Sequence, residues 1–319
     1  MHCELVVPGL FRASNLRRFP ALELLLARGR KRSCPTQTLE NWVREAFQLG
    51  DGPFPAGALT LRAHGRDPGA ASWARADPVH LRLMRDRAVV APGEAFGISS
   101  EEAVQLCDAL NAHFANQDFT PVDARRWCAR IEGPAGERPA LDAAGKEPDV
   151  RREGAALLTE IQMVLHAHAV NERREARGEP AVNSVWFWGA GRADSAHCAW
   201  QSVAADDPAI IGAARLAGAR QRPLPRSAAE WIQRLPEGVR HLAVLDGLRA
   251  PLALEQDVNE EIAAFERDWF APLLGALRSG RIGMVSLHAP DGAQALSFET
   301  IRGDLRRFWR LPKNIERYA

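Results

Sequence analysis

Four short apolar runs rich in Val, Leu, Ile and Trp punctuate the chain, at residues 5–7, 185–188, 242–245 and 282–287. Runs of this length with little alternation suit strands buried on both faces. Between them the apolar positions switch to helical spacing, over residues 21–28, 227–234 and 258–277. The last places Ile262, Phe265, Trp269, Phe270, Leu273 and Leu277 on one face. Strands alternating with helices predict an α/β fold built on a doubly wound, mostly parallel sheet that takes in all four runs.

The middle of the chain has a different pattern. Residues 78–90 suggest an irregular strand pair, residues 99–114 an amphipathic helix and residues 151–177 a long second one. Ser99 with Glu102 fits a capping box at the start of the first of these helices. Residues 132–148 are dense in Gly, Pro, Glu and Ala, which predicts an exposed loop. The expected organisation is a core from residues 1–66 and 181–319, interrupted by a smaller inserted α+β domain over residues 67–180.

Composition narrows the partners. The 319 residues are 46% apolar and 25% charged, long enough for a large core. With 41 basic against 40 acidic residues the formal charge is +1, so neither nucleic acid nor a membrane is the expected partner. Only Lys31, Lys146 and Lys313 are lysines, and arginine carries the remaining positive charge. Cys3, Cys34, Cys107, Cys128 and Cys198 are odd in number and widely scattered, unlike a zinc site or a disulfide framework. Reduced thiols, no secretory leader and no run of about 20 apolar residues together predict a cytoplasmic protein.

Candidate chemistry collects near the ends of the expected strands. Gly189-Ala190-Gly191 closes one apolar run, where glycine can serve a tight turn or let a phosphate approach backbone N–H groups. His166 and His168 point to nearly opposite sides of a helix and cannot share a metal ion there. His168 continues the face of Ile161 and Leu165, as a hydrogen-bonded core histidine does. Asn171, Arg173, Arg174 and Asn183 are either a solvated helix end with its turn or an anion clamp. Asp246 and His288 follow two expected strands, the position of ligand sites in open parallel sheets and also of ordinary caps. These groups are too few for a two-metal centre. Trp186 and Trp188 read as core.

The stretch from Asn171 through Arg173 and Arg174, Gly178, Ala181-Val182-Asn183 and an apolar strand to Gly189-Ala190-Gly191 resembles a signature of archaeal-type, cofactor-independent phosphoglycerate mutases, members of the alkaline phosphatase superfamily. The likeness continues diluted along the chain. Phe19-Pro20-Ala21-Leu22-Glu23 to Gly29, Leu49-Gly50 to Gly57, Val79-His80-Leu81-Arg82 and Ile211-Gly212 to Gly218 resemble successive elements of that family. The resemblance implies an alkaline-phosphatase-like core with an inserted domain.

It also implies metal ligands that this chain lacks. Pro8 stands where the family's first strand delivers an aspartate. Arg249-Ala250-Pro251 continues with Leu252 and Gln256 where an aspartate and a histidine are implied, and Leu287-His288 keeps only the histidine of a final Asp-His pair. Thr36 or Thr38 lies near the implied nucleophile, a poor one without metals. The same divergent pattern, with the run Asn183-Ser184-Val185-Trp186-Phe187-Trp188-Gly189, resembles the bacterial RpfE-type regulatory proteins. The expectation is therefore a degenerate, metal-free and cofactor-free binding or regulatory protein. Its partner is expected to be a phosphorylated small molecule or a regulatory protein, and any surviving pocket to lie between core and inserted domain, built from Arg82, Asn171, Arg174, Asn183, Asp246 and His288. Two alternatives stand beside it: an active mutase or phosphohydrolase with an altered metal site, and a protein-interaction scaffold.

Overall fold

The computed structural model describes residues 1–34, 37–83, 88–131, 139–140, 144, 155–236, 238–290, 292 and 295–318. Most of residues 132–148, expected as a loop, and the start of the helix expected over 151–177 lie outside these. The strands are β1 (His2–Val6), β2 (Arg30–Cys34), β3 (Trp73–Leu83), β4 (Ala88–Pro92), β5 (Phe119–Pro121), β6 (Trp127–Arg130), β7 (Ser184–Gly191), β8 (Ser202–Ala204), β9 (Arg220–Arg222), β10 (Arg240–Val244), β11 (Met284–Ala289) and β12 (Ala295–Ile301). The helices are α1 (Pro20–Arg28), α2 (Leu39–Ala46), α3 (Ala56–Ala63), α4 (Ser100–His113), α5 (Ala155–His166), α6 (Ala169–Ala176), α7 (Pro208–Leu216), α8 (Ala228–Gln233), α9 (Arg249–Ala253), α10 (Asn259–Phe265) and α11 (Ala271–Ser279).

The chain divides into two compact units, Met1–Gln48 with Ala196–Ala319, and Leu49–Ser195. The first holds a seven-stranded sheet in the order β2-β12-β11-β1-β10-β8-β9. Strands β11, β1, β10, β8 and β9 run parallel, β12 runs against them, and the edge strand β2, antiparallel to β12, points the same way as the other five. This is the mixed α/β, largely parallel architecture that the alternation of strands and helices predicts. Along β1 and its continuation, Cys3, Leu5 and Val7 enter an apolar cluster with Leu22 and Leu25 of α1, Trp231 of α8, Ile262 of α10 and Leu273 and Leu277 of α11. Each such large aliphatic side chain withdrawn from water contributes about 1.5–3 kcal/mol.

Two predicted helices change shape for local reasons. Residues 258–277 form α10 and α11 joined by a π-helical turn, Glu266–Phe270. Pro272 follows that turn and has no N–H to return to the preceding one, so the hydrogen-bond ladder shifts register there. The long helix expected over 151–177 is two helices, α5 and α6. The Asn171 Nδ2 donates to the Leu165 carbonyl near the end of α5 (2.7 Å), and His168 is the N-cap of α6, its Nδ1 accepting from the Val170 N–H (3.2 Å). His168 is therefore a half-buried cap and not a core histidine. The capping box of Ser99 and Glu102 forms as predicted.

The second unit contains an antiparallel sheet in the order β4-β3-β6-β5, with β7 also paired to β3. This corrects the expectation that residues 185–188 share a sheet with residues 242–245. An apolar run shows burial but does not name the neighbouring strand. Here the choice is fixed by buried polar contacts: the Trp188 Nε1 donates to Asp77 on β3 (2.7 Å), Asp77 pairs with Arg75, and that guanidinium lies 5.4 Å from the centre of the Trp188 ring.

Residues 49–66 and 181–195, placed with the core by composition, lie within the second unit. Close packing of α3 on β3 and β7 accounts for this. A Cβ on Gly57 would stand 2.5 Å from the Ala74 carbonyl carbon, and one on Gly189 would stand 2.5 Å from the Ala56 Cβ. The space over Gly189, which a phosphate would need, is thus filled by α3.

Gly57→Ala and Gly189→Ala should each lower the unfolding free energy by about 1–3 kcal/mol in urea titration, because backbone or a short Cβ must give way. Gly275→Ala, in α11 with open space around it, should instead raise stability by about 0.5–1 kcal/mol. Tolerance of alanine at Gly57 would contradict the packing described.

Candidate functional site

In the parallel sheet of the first unit, the carboxyl end of β1 runs through Val7 and Pro8 to Gly9, held by the Val7 N–H to the His288 carbonyl (2.8 Å). Gly9 has φ +78°, and a Cβ there would stand 2.6 Å from the Leu252 Cδ1. Leu252 at the end of α9 therefore rests directly on Gly9, beside Pro8. Leu287 is buried in the apolar cluster on the opposite face of the sheet from Glu4 and His288. None of the three can ligate a divalent metal. Among the described residues no group of three His, Cys, Asp or Glu is arranged to hold one. The metals that the resemblance implies do not fit the described residues.

Two of the neighbouring carboxylates, Asp206 and Asp207, are committed elsewhere. Asp207 caps α7, accepting from the Ala209 and Ile210 N–H groups (2.8 and 3.2 Å), and Asp206 accepts from the Leu224 N–H (3.1 Å). Asp246, just past β10, is pushed up to about 6 by burial and by the charges of Asp207 and Asp206, against the pull of Arg249. Arg249 donates to Glu40 on α2 (2.8 Å). Thr38 caps α2 through its hydroxyl, which accepts from the Asn41 N–H (3.3 Å), while Thr36 lies outside the described residues.

On the other face of the sheet sits a charged cluster that sequence reasoning missed. Glu4, 2% exposed in the middle of β1, accepts from the Arg240 Nε (2.7 Å) and lies 3.4 Å from the His288 Nε2 and 3.6 Å from the His2 Nδ1. Burial alone would raise the carboxyl, but the close approach of His288, the hydrogen bond from Arg240 and the charges of His2 and Arg240 outweigh it and hold Glu4 at about 2. His2 also contacts Ser286 (2.8 Å), and the His288 ring lies against Trp42 at 5.4 Å. A lone carboxylate among the apolar residues of β1 was the available signal.

Asn171, Arg174 and Asn183 meet at the helix–strand junction of the second unit, each bonded within the protein. Asn171 is 2% exposed; it donates to the Leu165 and Val182 carbonyls and accepts from the Val182 N–H. Arg174, 1% exposed, donates to the Pro180 carbonyl (2.8 Å), Glu102 (2.9 Å) and the Gly97 carbonyl (2.5 Å), and its guanidinium faces Phe96. Asn183 pairs with both main-chain groups of Leu81 (2.7 and 3.0 Å), standing in for a strand neighbour. Arg82 is exposed on β3 opposite Val89. Asp246 and His288 belong to the first unit. Beside Arg174 an open groove of about 1050 Å³ is lined by Phe96, Gly97, Ser99, Arg173, Arg177 and Pro180. Partial burial opposes ionisation of Glu102 there, but the Ser99 N–H, Arg174 and Arg177 hold it below its ordinary range.

Arg174→Lys should cost about 2–4 kcal/mol in denaturant titration, since one ammonium cannot serve three divergent acceptors and a buried partner is left unpaired. Undiminished stability would return Arg174 to the pool of ligand-binding groups. The raised Asp246 favours its protonated form in the folded state, so its contribution to stability is fully present below about pH 4 and lost as the pH rises through about 6. Asp246→Asn should therefore stabilise the protein by on the order of 2 kcal/mol at neutral pH and leave it unchanged near pH 4. Equal effects at both pH values would contradict the burial and charge assigned to that carboxyl.

No protein-family model matches the chain. A 2,3-bisphosphoglycerate-independent phosphoglycerate mutase of Methanosarcina barkeri (strain Fusaro / DSM 804) is 32% identical over 109 residues, which cover 30% of this chain and 27% of that protein. The chain thus spans about a quarter of the length of the curated relative it matches. Among solved structures, the PH0037 protein from Pyrococcus horikoshii is similar over 94% of this chain and 87% of its own, with TM-score 0.57 and 13% identity. The cofactor-independent phosphoglycerate mutase of Thermoplasma acidophilum DSM 1728 covers 100% of this chain and 94% of its own at TM-score 0.48 and 17% identity. The first of these structures shares the fold, and the matched sequence marks a distant relationship to the cofactor-independent phosphoglycerate mutases.

Proposed function

We propose that this chain is a phosphoglycerate-mutase-like regulatory or binding protein, of the kind the RpfE-type resemblance implies, working without a metal-dependent phosphoryl-transfer site. The contact of Leu252 with Gly9 beside Pro8 carries this reading. Phosphoryl transfer in that superfamily relies on metals to activate a hydroxyl and to neutralise the moving phosphoryl group, and apolar side chains at the ligand positions supply neither. Thr38 is bonded to its own helix and is not aimed by any basic group among its described contacts. Its ligand on this reading is a phosphorylated small molecule or a regulatory protein, recognised without catalysis.

A second reading, an active mutase or phosphohydrolase with an altered metal site, draws on Asp206, Asp207 and Asp246, which sense one another's charge. Against it, Asp206 is bonded to the Leu224 N–H and Asp207 caps α7 through Ala209 and Ile210.

The two readings separate in an assay of phosphoglycerate interconversion with and without added Mn²⁺ or Mg²⁺. The purified protein should give no turnover under either condition while thermal unfolding shows it folded. Turnover abolished by a chelator and restored by metal would overturn the proposal.

A further inference from the structure

The near-neutral charge of the chain is an average over an uneven distribution. Residues 28–32 and 302–317 together hold ten basic residues and two acidic ones, in a chain whose formal charge is +1. Both acids are occupied: Asp304 accepts from the Ile301 N–H and pairs with Arg307 (2.8 Å), and Glu316 accepts from the Leu16 N–H (2.7 Å). Nearby Glu299 pairs with Arg32 (3.2 Å).

The fold brings the two basic stretches side by side. β2 is the outer strand of the parallel sheet, with Arg30, Lys31 and Arg32 exposed. The Arg307 Nη1 donates to the Arg28 carbonyl (3.4 Å), the Arg310 Nη1 to the Gly29 carbonyl (3.0 Å) and the Lys31 Nζ to the Tyr318 carbonyl. Arg28 itself is 8% exposed, yet its Nε and Nη1 have no hydrogen-bond partner among the described residues.

Between Arg307 and Arg310 the chain makes a tight turn, closed by the Arg310 N–H to the Arg307 carbonyl (2.9 Å). Phe308 and Trp309 form its tip, their rings edge to face at 5.3 Å and 75% and 67% exposed, with Leu311 70% exposed beside them. Six large apolar side chains stand exposed among the described residues, and four of them, Ile301, Phe308, Trp309 and Leu311, lie in this short stretch. The turn is tied at both ends, so the rings are presented with little ordering left to lose on binding.

We propose that this turn and the basic edge of β2 dock the protein peripherally on an anionic lipid bilayer. A second copy of the chain would set arginine against arginine across a shared two-fold interface. Single-stranded nucleic acid is stacked along grooves, whereas these exposed rings sit at the tip of a turn with an aliphatic residue beside them. A soft anionic surface satisfies all three features: Phe308, Trp309 and Leu311 enter the boundary between headgroups and acyl chains, and the surrounding Arg and Lys meet the headgroups. No helix among the described residues is long and apolar enough to cross a membrane, so the association proposed is a surface one.

The full chain should cosediment with phosphatidylglycerol/phosphatidylcholine vesicles and not with phosphatidylcholine alone, and added salt should weaken the binding. Arg30→Gln with Lys31→Gln and Arg32→Gln should lower affinity by about fivefold or more, the worth of a single surface charge near such a leaflet. Phe308→Ser with Trp309→Ser should lower it about tenfold with an unchanged thermal unfolding curve, since neither ring supports the fold. Equal partition onto both vesicle types, or undiminished binding of the Phe308/Trp309 variant, would overturn the proposal. Displacement of the protein from vesicles by a single-stranded oligonucleotide at low concentration would reassign the patch to nucleic acid. A vesicle-independent dimer that the same variant abolishes would reassign it to self-association.

Discussion

The chemistry open to a parallel sheet is set by what its strands deliver at their carboxyl ends, and here β1 delivers Pro8 and Gly9 with Leu252 lying on the glycine. Placing a side chain at Gly9 would collide with Leu252 and would require a left-handed backbone, so the contact and the glycine depend on each other. An apolar plug at this point removes two of the converging positions from which a metal could be held. Of the carboxylates that remain, Asp206 and Asp207 are tied to a loop and a helix start, and Asp246 is held toward its protonated form by burial and their charge.

The same economy marks the other polar groups. Arg174 joins α6 to the segment before α4 and to Glu102, whose carboxylate also completes the capping box of α4. Asn171 ends α5, starts α6 and fixes the approach to β7 through one amide. Desolvating such groups is costly unless every donor and acceptor is met, and once met they specify one arrangement of helices and strand. Glu4 shows the complementary case: a carboxylate buried in a strand and kept ionised by Arg240 and two histidines, on a sheet face that remains polar and in contact with Trp42.

Features governed by neighbours in sequence were legible in it. The Ser99–Glu102 capping box, the helical face from Ile262 to Leu277 and the parallel strands at residues 5–7 and 242–245 follow from spacing alone. Features decided across long separations were not. The run Val185 to Trp188 gave its burial but not its partner, which depends on Asp77 more than a hundred residues away. Asn171 and Arg174 looked like an anion clamp because their acceptors, the Leu165, Gly97 and Pro180 carbonyls, are main-chain atoms that no side-chain pattern reveals. The pattern over residues 151–177 predicts one continuous helix because propensity cannot register a break imposed by one buried amide. The six candidate site residues fall in both units, four in the second and Asp246 and His288 in the first.

The central claim is the proposal that the strand ends of this chain hold no divalent metal. Calorimetric titration of the chelator-treated, folded protein with Mn²⁺ addresses it without any assumption about substrate. The account predicts no saturable binding in the micromolar range, and wild-type protein and Asp246→Asn should give the same flat trace. Saturable uptake of two equivalents of metal, weakened by Asp246→Asn, would contradict it.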